Sequence, residues 1–406
     1  MPRFDSLRQP NFRNFLAGQF VSYLGTWMQF IAQDWLVLHL SGNSGSALGL
    51  VTALQFAPVL LLGLYGGKLA DQHDKRIVLA AAGIMWTVLA AGIAALVLTG
   101  EVRLWHVFVF AAALGSVSAI EKPARQAFVS ELVGSDLVPN ALALNSIAFN
   151  SARIIGPALS GGLIAWLDTG PVFALNAFSY LAPVVGIALI RPADLRRPAA
   201  RPRKASITAG LTYVRRRPDL LLPLGVVFIV ALVGFNFPIT LALLAKVVFD
   251  AGAASFGLLS SALAVGAMAG AYAGAGRRGR PSAYRVLGAA AAFGATEALV
   301  ALAPTYWAAA ALLVPTGFSM IFFAQAANQR VQLGVGPAYQ GRVMALYLLV
   351  FAGTNPVGAP IVGWLAEHAG TRSSLYIGGL VSIVTAAAAY AIVRGRPITD
   401  YRPRPT

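Results

Sequence analysis

The chain has 406 residues, of which 57% are hydrophobic and only 11% are charged. This composition excludes an ordinary soluble domain. The chain also contains no cysteine, which excludes disulfides and thiolate metal sites.

The net charge of +16 does not indicate a nucleic-acid partner, because most of it lies on one side of the predicted spans. Nearly all of the 31 Lys and Arg residues fall in the termini, the central linker and alternate loops. The exceptions are Arg103, Lys246 and Arg372 in the opposite loops, and Arg153 inside a span. By the positive-inside rule, both termini and the linker are predicted to be cytoplasmic. The basic surface then faces anionic lipid head groups, and no nucleic acid is expected.

Twelve apolar stretches follow one another along the chain, in two sets of six. Each is long enough for a helix of about 20 residues, which crosses roughly 30 Å of hydrocarbon. We predict an all-α integral membrane protein with twelve transmembrane helices in two pseudo-symmetric six-helix bundles. Residues 1–190 form the first bundle, 191–219 a cytoplasmic basic linker, and 220–406 the second bundle with a short cytoplasmic tail. The predicted spans cover residues 14–40, 46–65, 77–98, 105–121, 141–166, 171–190, 220–248, 255–275, 285–303, 306–325, 342–366 and 373–393.

The first span has a polar face within an arc of about 160°, at about 100° per residue. A helix in lipid does not hold amides and a carboxylate unless that face meets water or protein. We favour a face that lines a substrate cavity, because its aromatic side chains suit an amphipathic organic ligand. The alternative is that the amides join helices by hydrogen bonds. The face consists of Gln19, Ser22, Tyr23, Thr26, Trp27, Gln29, Phe30, Gln33 and Asp34, and the cavity candidates among them are Gln19, Tyr23, Thr26, Trp27, Phe30 and Gln33.

Asp34 lies on this face, about 10 Å from the predicted outer end of the helix at 1.5 Å per residue. A carboxylate at that depth is costly unless it is paired, wet or protonated. These properties suit a proton carrier. A fixed hydrogen bond or ion pair is the equally weighted alternative.

Three further ionisable residues lie within or at the ends of predicted spans. Glu121 and Arg153 lie at similar depth, about 22–24 Å from the outer ends of adjacent antiparallel helices. We predict that they form a buried ion pair, which neutralises both charges. Glu297 lies opposite no obvious basic residue, and we predict a structural or interfacial role for it.

Small residues and a proline punctuate the fifth span, with Gly156 and Pro157 followed by Gly161 and Gly162. Small side chains let helices approach closely, and proline bends a helix. The pattern predicts tight helix packing, and a pivot if two bundles rock against each other.

The segment after the second span resembles the loop motif between the second and third helices of the major facilitator superfamily. It reads GKLADQHDKR at 67–76. In that family the aspartate caps a helix of the other half and joins a charge network that latches the cytoplasmic side. The resemblance assigns Gly67, Asp71, Lys75 and Arg76 to the latch. Gln72 stands where a basic residue is usual, and Arg125 after the fourth span is predicted to replace it.

Further motifs resemble the branch that contains enterobactin-type siderophore exporters and macrolide-efflux proteins. They are QFVS at 19–22, GTWMQ at 25–29, ARIIGP at 152–157 and GRVMALY at 341–347, together with Asn145. The resemblance covers essentially the whole chain and implies the major facilitator fold, with a substrate site between its halves near the midplane. The second cavity wall is then expected from spans 7, 10 and 11, with Phe235, Asn236, Phe322, Gln325 and Tyr347 as candidates.

The sequence contains no ATP-binding loop, metal-ligand cluster or nucleophile–base pair, so neither a catalytic nor a metal site is predicted. We expect a secondary active exporter of bulky, largely apolar or amphipathic organic compounds that works by proton antiport with alternating access. It needs no cofactor besides the proton gradient and is expected as a monomer in the bacterial cytoplasmic membrane, with a small-molecule substrate and membrane lipid as partners. A lipid translocator, a substrate sensor and, least favoured, an intramembrane enzyme stay open as alternatives.

Overall fold

The computed structural model of the protein describes residues 4–196, 207–276 and 279–395. Every regular element in these ranges is helical. The middle of the predicted linker, residues 197–206, lies outside them. The first half contains α1 (Pro10–Ser41), α2 (Gly45–Gln72), α3 (Lys75–Leu98), α4 (Leu104–Val133), α5 (Val138–Leu167), α6 (Thr169–Ser179) and α7 (Leu181–Ala188). The second half contains α8 (Ile207–Arg215), α9 (Pro218–Gly234), α10 (Phe237–Leu243), α11 (Ala253–Ala275), α12 (Ala283–Ala301), α13 (Tyr306–Gly334), α14 (Pro337–Gly353), α15 (Asn355–His368) and α16 (Thr371–Gly395).

The chain divides into two compact units. Unit 1 comprises Met1–Arg201 together with Ala251–Ser261, and unit 2 comprises Pro202–Asp250 and Ala262–Thr406. The first turns of α11 therefore belong to unit 1, although they follow the predicted linker in sequence. The described part of that linker is shared between the two units.

Nine stretches within the described ranges are long and apolar enough to cross a membrane. Three helices that were predicted to span, α1, α5 and α12, are not among them, although they contain 32, 30 and 19 residues. Each carries polar side chains that lower its mean hydropathy: the amides and Asp34 on α1, Arg153 on α5, and Glu297 on α12. Length and hydropathy therefore do not establish the predicted count of twelve.

Helix α4 is longer than the span predicted at 105–121 and continues for about three more turns. Its extension is held by an apolar side that packs on the start of α1, where the rings of Phe15 and Phe128 meet edge to face at 5.5 Å. Both rings are fully buried in a cluster that also includes Phe12 and Leu132. Burying a phenylalanine of this kind contributes about 1.5–3 kcal/mol.

Three predicted spans are broken helices. The sixth is interrupted at Tyr180, the seventh at Phe235 and Asn236, and the eleventh at Thr354. A proline follows each break within three residues, and proline removes the backbone donor that would continue the helix. At the seventh span the Asn236 side chain donates to the Leu232 carbonyl at 2.9 Å, which satisfies one acceptor that the break frees.

Candidate functional site

The polar face of α1 divides into two parts in unit 1. Gln29 accepts a hydrogen bond from the Asn176 side chain of α6, and Gln33 donates to Gln55 of α2 at 3.0 Å. The Tyr180 hydroxyl also donates to the side-chain oxygen of Gln29, at 3.4 Å. These two amides join helices, which is the alternative that the sequence had left open. Gln19 is also buried, whereas Thr26, Trp27 and Phe30 are half-buried.

A second polar cluster connects α1, α4 and α5. The Tyr23 hydroxyl donates to Asn145 at 3.0 Å and is contacted by the Arg125 guanidinium, which also lies over the Tyr23 ring. Arg125 forms an ion pair with Glu121 at 2.8 Å, and these two side chains are 18% and 4% exposed. The cluster places Tyr23 and Arg125 together in the interior of unit 1.

The predicted ion pair between Glu121 and Arg153 is wrong for this structure. Glu121 pairs with Arg125, one helical turn further along α4. The guanidinium of Arg153 instead lies over the indole of Trp27, 5.6 Å from the ring centroid. Equal depth in the membrane placed Glu121 and Arg153 at the same level but did not fix the direction in which each points.

Further aromatic rings adjoin Trp27, the ring that Arg153 covers. The Trp27 ring meets Phe30 edge to face at 5.4 Å and Phe149 at 5.7 Å, and Phe149 meets Tyr23 at 5.3 Å. Phe149 is 39% exposed on the surface of unit 1. The four rings and Arg153 form one patch of mixed aromatic and cationic character, and we refer to them as the aromatic patch.

Asp34 is buried on α1, at 5% exposure. Among the residues that the structure describes, none donates a hydrogen bond to its carboxylate or forms an ion pair with it. The neighbouring Trp35 stacks on Phe256 at 6.5 Å, within unit 1. The described part of the chain therefore offers Asp34 no fixed partner of the kind that the structural alternative requires.

The glycines of α5 differ in what they pack against. A Cβ on Gly156 would lie 2.6 Å from the Cβ of Trp27, and one on Gly161 would lie 2.6 Å from the Ala253 carbonyl oxygen. One on Gly162 would meet nothing within 4 Å. Ser160 adds a hydrogen bond of 2.7 Å to the Met28 carbonyl. Close packing thus involves Gly156 and Gly161, with Pro157 buried between them, whereas Gly162 faces open space.

The candidate latch residues lie at the junction of α2 and α3. Asp71 is exposed in the last turn of α2, and a Cβ on Gly67 would meet nothing within 4 Å. Lys75 pairs with Glu131 at the end of α4 at 2.7 Å. The backbone N–H of Arg76 donates to Asp74, which caps α3. Arg125, which was predicted to complete this network, instead contacts Glu121 and Tyr23 within the bundle.

Unit 2 brings some of its candidates together. Phe235 contacts Phe293 at 5.3 Å and Phe351 at 5.7 Å, and Phe351 stacks on Tyr347 at 6.1 Å. Tyr347 is buried and donates to the Ala324 carbonyl at 2.9 Å, so that side chain packs helices. Asn236 is buried at the break beside Phe235.

The remaining two candidates of unit 2 lie on α13. Phe322 stacks on Phe318 of the same helix at 5.5 Å. The Gln325 Oε1 atom is buried and accepts no hydrogen bond from any described residue.

Glu297 on α12 is, like Asp34, a buried carboxyl group that forms no ion pair with a described residue, and it is 2% exposed. It faces two glycines of neighbouring helices: a Cβ on Gly234 would lie 3.1 Å from its Oε2, and one on Gly378 would lie 3.0 Å from its Oε1. No described residue donates to Oε2. The absence of side chains at both glycines makes the room that this carboxyl group occupies.

Several residues that build these clusters were not selected from the sequence. Cross-helix partners such as these have no pattern along a single helix that would identify them. Asn145 alone could have been found, because it is one of the residues that carry the family resemblance. The missed residues are Gln55, Glu131, Asn145, Phe149, Asn176 and Tyr180.

The sequence profile of a protein family described as "Transmembrane secretion effector" matches residues 2–400, nearly the whole chain. Related proteins include the uncharacterized major facilitator-type transporter YfiS of Bacillus subtilis, which is 32% identical over 231 residues, 53% of each chain. The staphyloferrin A transporter of Staphylococcus aureus is 26% identical over 263 residues, 62% of this chain and 64% of that protein. Macrolide efflux protein A of Streptococcus pyogenes is 23% identical over 184 residues, 43% of each chain. The chain thus matches between 43% and 64% of the length of these relatives.

Solved transporter structures share the fold. A bacterial homologue of the human lysosomal transporter Spinster superposes with a TM-score of 0.77 at 14% identity, covering 97% of this chain and 98% of that one. The nucleoside transporter NupG gives a TM-score of 0.74 at 12% identity, covering 97% of this chain and all of the other. The predicted fold class, that of the major facilitator transporters, is confirmed.

Proposed function

The chain belongs to the transmembrane secretion effector family of the major facilitator transporters, and we propose that it is a proton-driven exporter of bulky, amphipathic organic compounds. As a member of this family it is a multi-pass membrane transporter and not an enzyme. The names of two relatives, one for staphyloferrin A and one for macrolide efflux, support export of large organic molecules. We place the protein in the bacterial cytoplasmic membrane, with both termini in the cytoplasm.

The observation that carries the coupling proposal is the state of Asp34. Its carboxyl group is buried in a membrane helix, and no described residue donates to it or pairs with it. A charged carboxylate in low dielectric surroundings is unfavourable unless it is compensated, whereas a protonated one is tolerated. Asp34 thus favours the protonated form when enclosed and releases its proton when water reaches it. Alternation between these two states is what a proton carrier requires.

Coupling follows if the proton and the substrate exclude one another. Three rings of the aromatic patch lie on the same helix as Asp34, and one of them, Trp27, is about 10 Å along the helix axis from it, at 1.5 Å per residue. Substrate on the patch and a proton on Asp34 would then be carried in opposite directions by alternating access. A transporter without a nucleotide site can move its substrate uphill by such an exchange.

The test uses purified protein in liposomes, with a radiolabelled aromatic sulfonate, an amphipathic compound that carries no proton of its own at neutral pH, as the transported probe. Asp34→Asn should abolish accumulation driven by a pH gradient, because the amide takes up no proton. The same variant should still exchange labelled for unlabelled probe at equal pH. Asp136→Asn, the same change at an exposed position, is the matched control, and protein-free liposomes correct for passive uptake.

If Asp34→Asn still concentrates the probe as well as wild type does, Asp34 is structural and the carrier lies elsewhere. Loss of exchange as well as of uphill accumulation would show that Asp34 serves substrate passage and not coupling. A wild-type protein that transports nothing would favour a sensor.

A further inference from the structure

Arg153 lies within a membrane span, and the face of an aromatic ring is its only polar or ring contact in the described structure. Its guanidinium lies over Trp27, and none of its five N–H donors meets a hydrogen-bond acceptor or a carboxylate among the described residues. Gly156, one turn further along α5, lets the α1 backbone and Trp27 approach this helix closely. An arginine inside a membrane span is costly, so residues of this kind mark functional positions.

Three buried carboxyl groups of unit 1 do not pair with Arg153. Glu121 pairs with Arg125 at 2.8 Å, and Glu131 pairs with Lys75 at 2.7 Å. Asp34 is two helical turns from Trp27 on α1 and forms no ion pair. Within the described part of unit 1, no protein carboxylate neutralises Arg153.

We propose that Arg153 binds an anionic oxygen group of the transported compound, while the rings of the aromatic patch hold its apolar body. The inference rests on the proposed transport function and narrows its substrate class to organic anions that carry an aromatic or extended apolar part. A guanidinium presents a planar fork of donors that matches a carboxylate in two parallel hydrogen bonds. Stacking on Trp27 holds the fork in place through a cation–π contact, which leaves the N–H edge available.

The geometry of the patch agrees with this division of roles. The edge-to-face rings of Trp27, Phe30 and Phe149 present apolar faces and edges of the kind that line organic-ligand sites. Phe149 is one turn from Arg153 on α5 and is partly exposed. An anion seated on Arg153 would therefore place its apolar body against Phe149 and Trp27.

Equilibrium binding tests this proposal independently of proton coupling. Purified protein in phosphatidylcholine nanodiscs is titrated with a panel of aryl carboxylic acids of increasing size, each compared with its primary amide. Wild type should prefer the acid over the amide for the members that bind. Arg153→Gln should weaken binding of the acids by about tenfold or more, the effect of losing hydrogen bonds to a charged group, while the amides change little.

Three further variants separate charge, geometry and folding. Arg153→Lys keeps the charge but not the fork, so its acid preference should be intermediate; it also carries the test if Arg153→Gln fails to fold. Trp27→Leu should weaken acids and amides together. Arg103→Gln, at an exposed arginine before α4, should change neither.

Equal binding of acids and amides by wild type across the panel would overturn the proposal. So would a parallel loss of both by Arg153→Gln, which would make Arg153 structural. If nanodiscs containing phosphatidylglycerol abolish the acid preference of wild type, Arg153 holds a lipid phosphate, and the substrate assignment falls. Failure of the Asp34→Asn transport test would leave these binding results unchanged, so the two proposals fail separately.

Discussion

Arg125 and Arg153 lie on adjacent helices of unit 1, but their surroundings differ. Arg125 has a carboxylate one turn earlier on its own helix and a tyrosine hydroxyl across from it. Arg153 has an aromatic face and no acidic partner in the described structure. The spacing of Glu121 and Arg125 was visible in the sequence, but the predicted span ended at 121. In the structure α4 continues beyond 121, so Glu121 and Arg125 lie one turn apart on the same helix and pair there.

A double-mutant cycle tests the pairing of Glu121 and Arg125. Each single neutralisation, Glu121→Gln or Arg125→Gln, should lower the free energy of unfolding by about 3–5 kcal/mol, because it leaves one buried charge without its partner. The double variant should recover part of that loss. Denaturant unfolding in detergent measures all three. The cycle between Glu121→Gln and Arg153→Gln is the control and should be additive; strict additivity in the first cycle would contradict the ion pair.

At the scale of elements, the packing of α5 against α1 depends on Gly156 and not on Gly162. A side chain at Gly156 would collide with the Cβ of Trp27, whereas one at Gly162 would meet nothing within 4 Å. The sequence predicted close packing for the whole motif, because residue type alone does not show which side of a helix faces a neighbour.

Alanine substitution distinguishes these two glycines. Gly156→Ala should destabilise the protein by about 1–3 kcal/mol, the usual effect of overpacking, and should displace Trp27. Gly162→Ala should be neutral or should stabilise by up to about 1 kcal/mol through the higher helix propensity of alanine. Thermal unfolding of both variants in the same detergent is the measurement. Equal melting temperatures for the two would mean that α5 does not pack on α1 through Gly156.

The helix breaks also belong to this scale. Continuous spans were predicted at 171–190, 220–248 and 342–366, and the structure interrupts each of them. A hydropathy window averages over about 19 residues, so a break of one or two residues does not lower it enough to be seen. The proline after each break was visible in the sequence and would have indicated where the helix is interrupted. At the seventh span the break falls on Phe235 and Asn236, two of the predicted cavity residues.

At the scale of the whole molecule, the sequence predicted the fold class because lipid leaves few alternatives. Every backbone donor and acceptor in hydrocarbon must be satisfied within the span, so long apolar stretches become helices. The sequence could not predict which side chains meet across helices. Gln29 with Asn176, and Gln33 with Gln55, are contacts set by helix rotation and packing. For the same reason the environment of Glu297 between two glycines was not foreseen.

The measurement that tests proton-coupled export most directly is proton movement driven by a substrate gradient. Purified wild-type protein is placed in liposomes that contain a pH-sensitive dye, with equal pH on both sides. An aromatic sulfonate is then supplied on one side, because it stays anionic at this pH and carries no proton itself. We expect the lumenal pH to shift as protons move opposite to the sulfonate, with no shift for Asp34→Asn or for protein-free liposomes. Sulfonate flux without any pH change in wild type would contradict proton antiport.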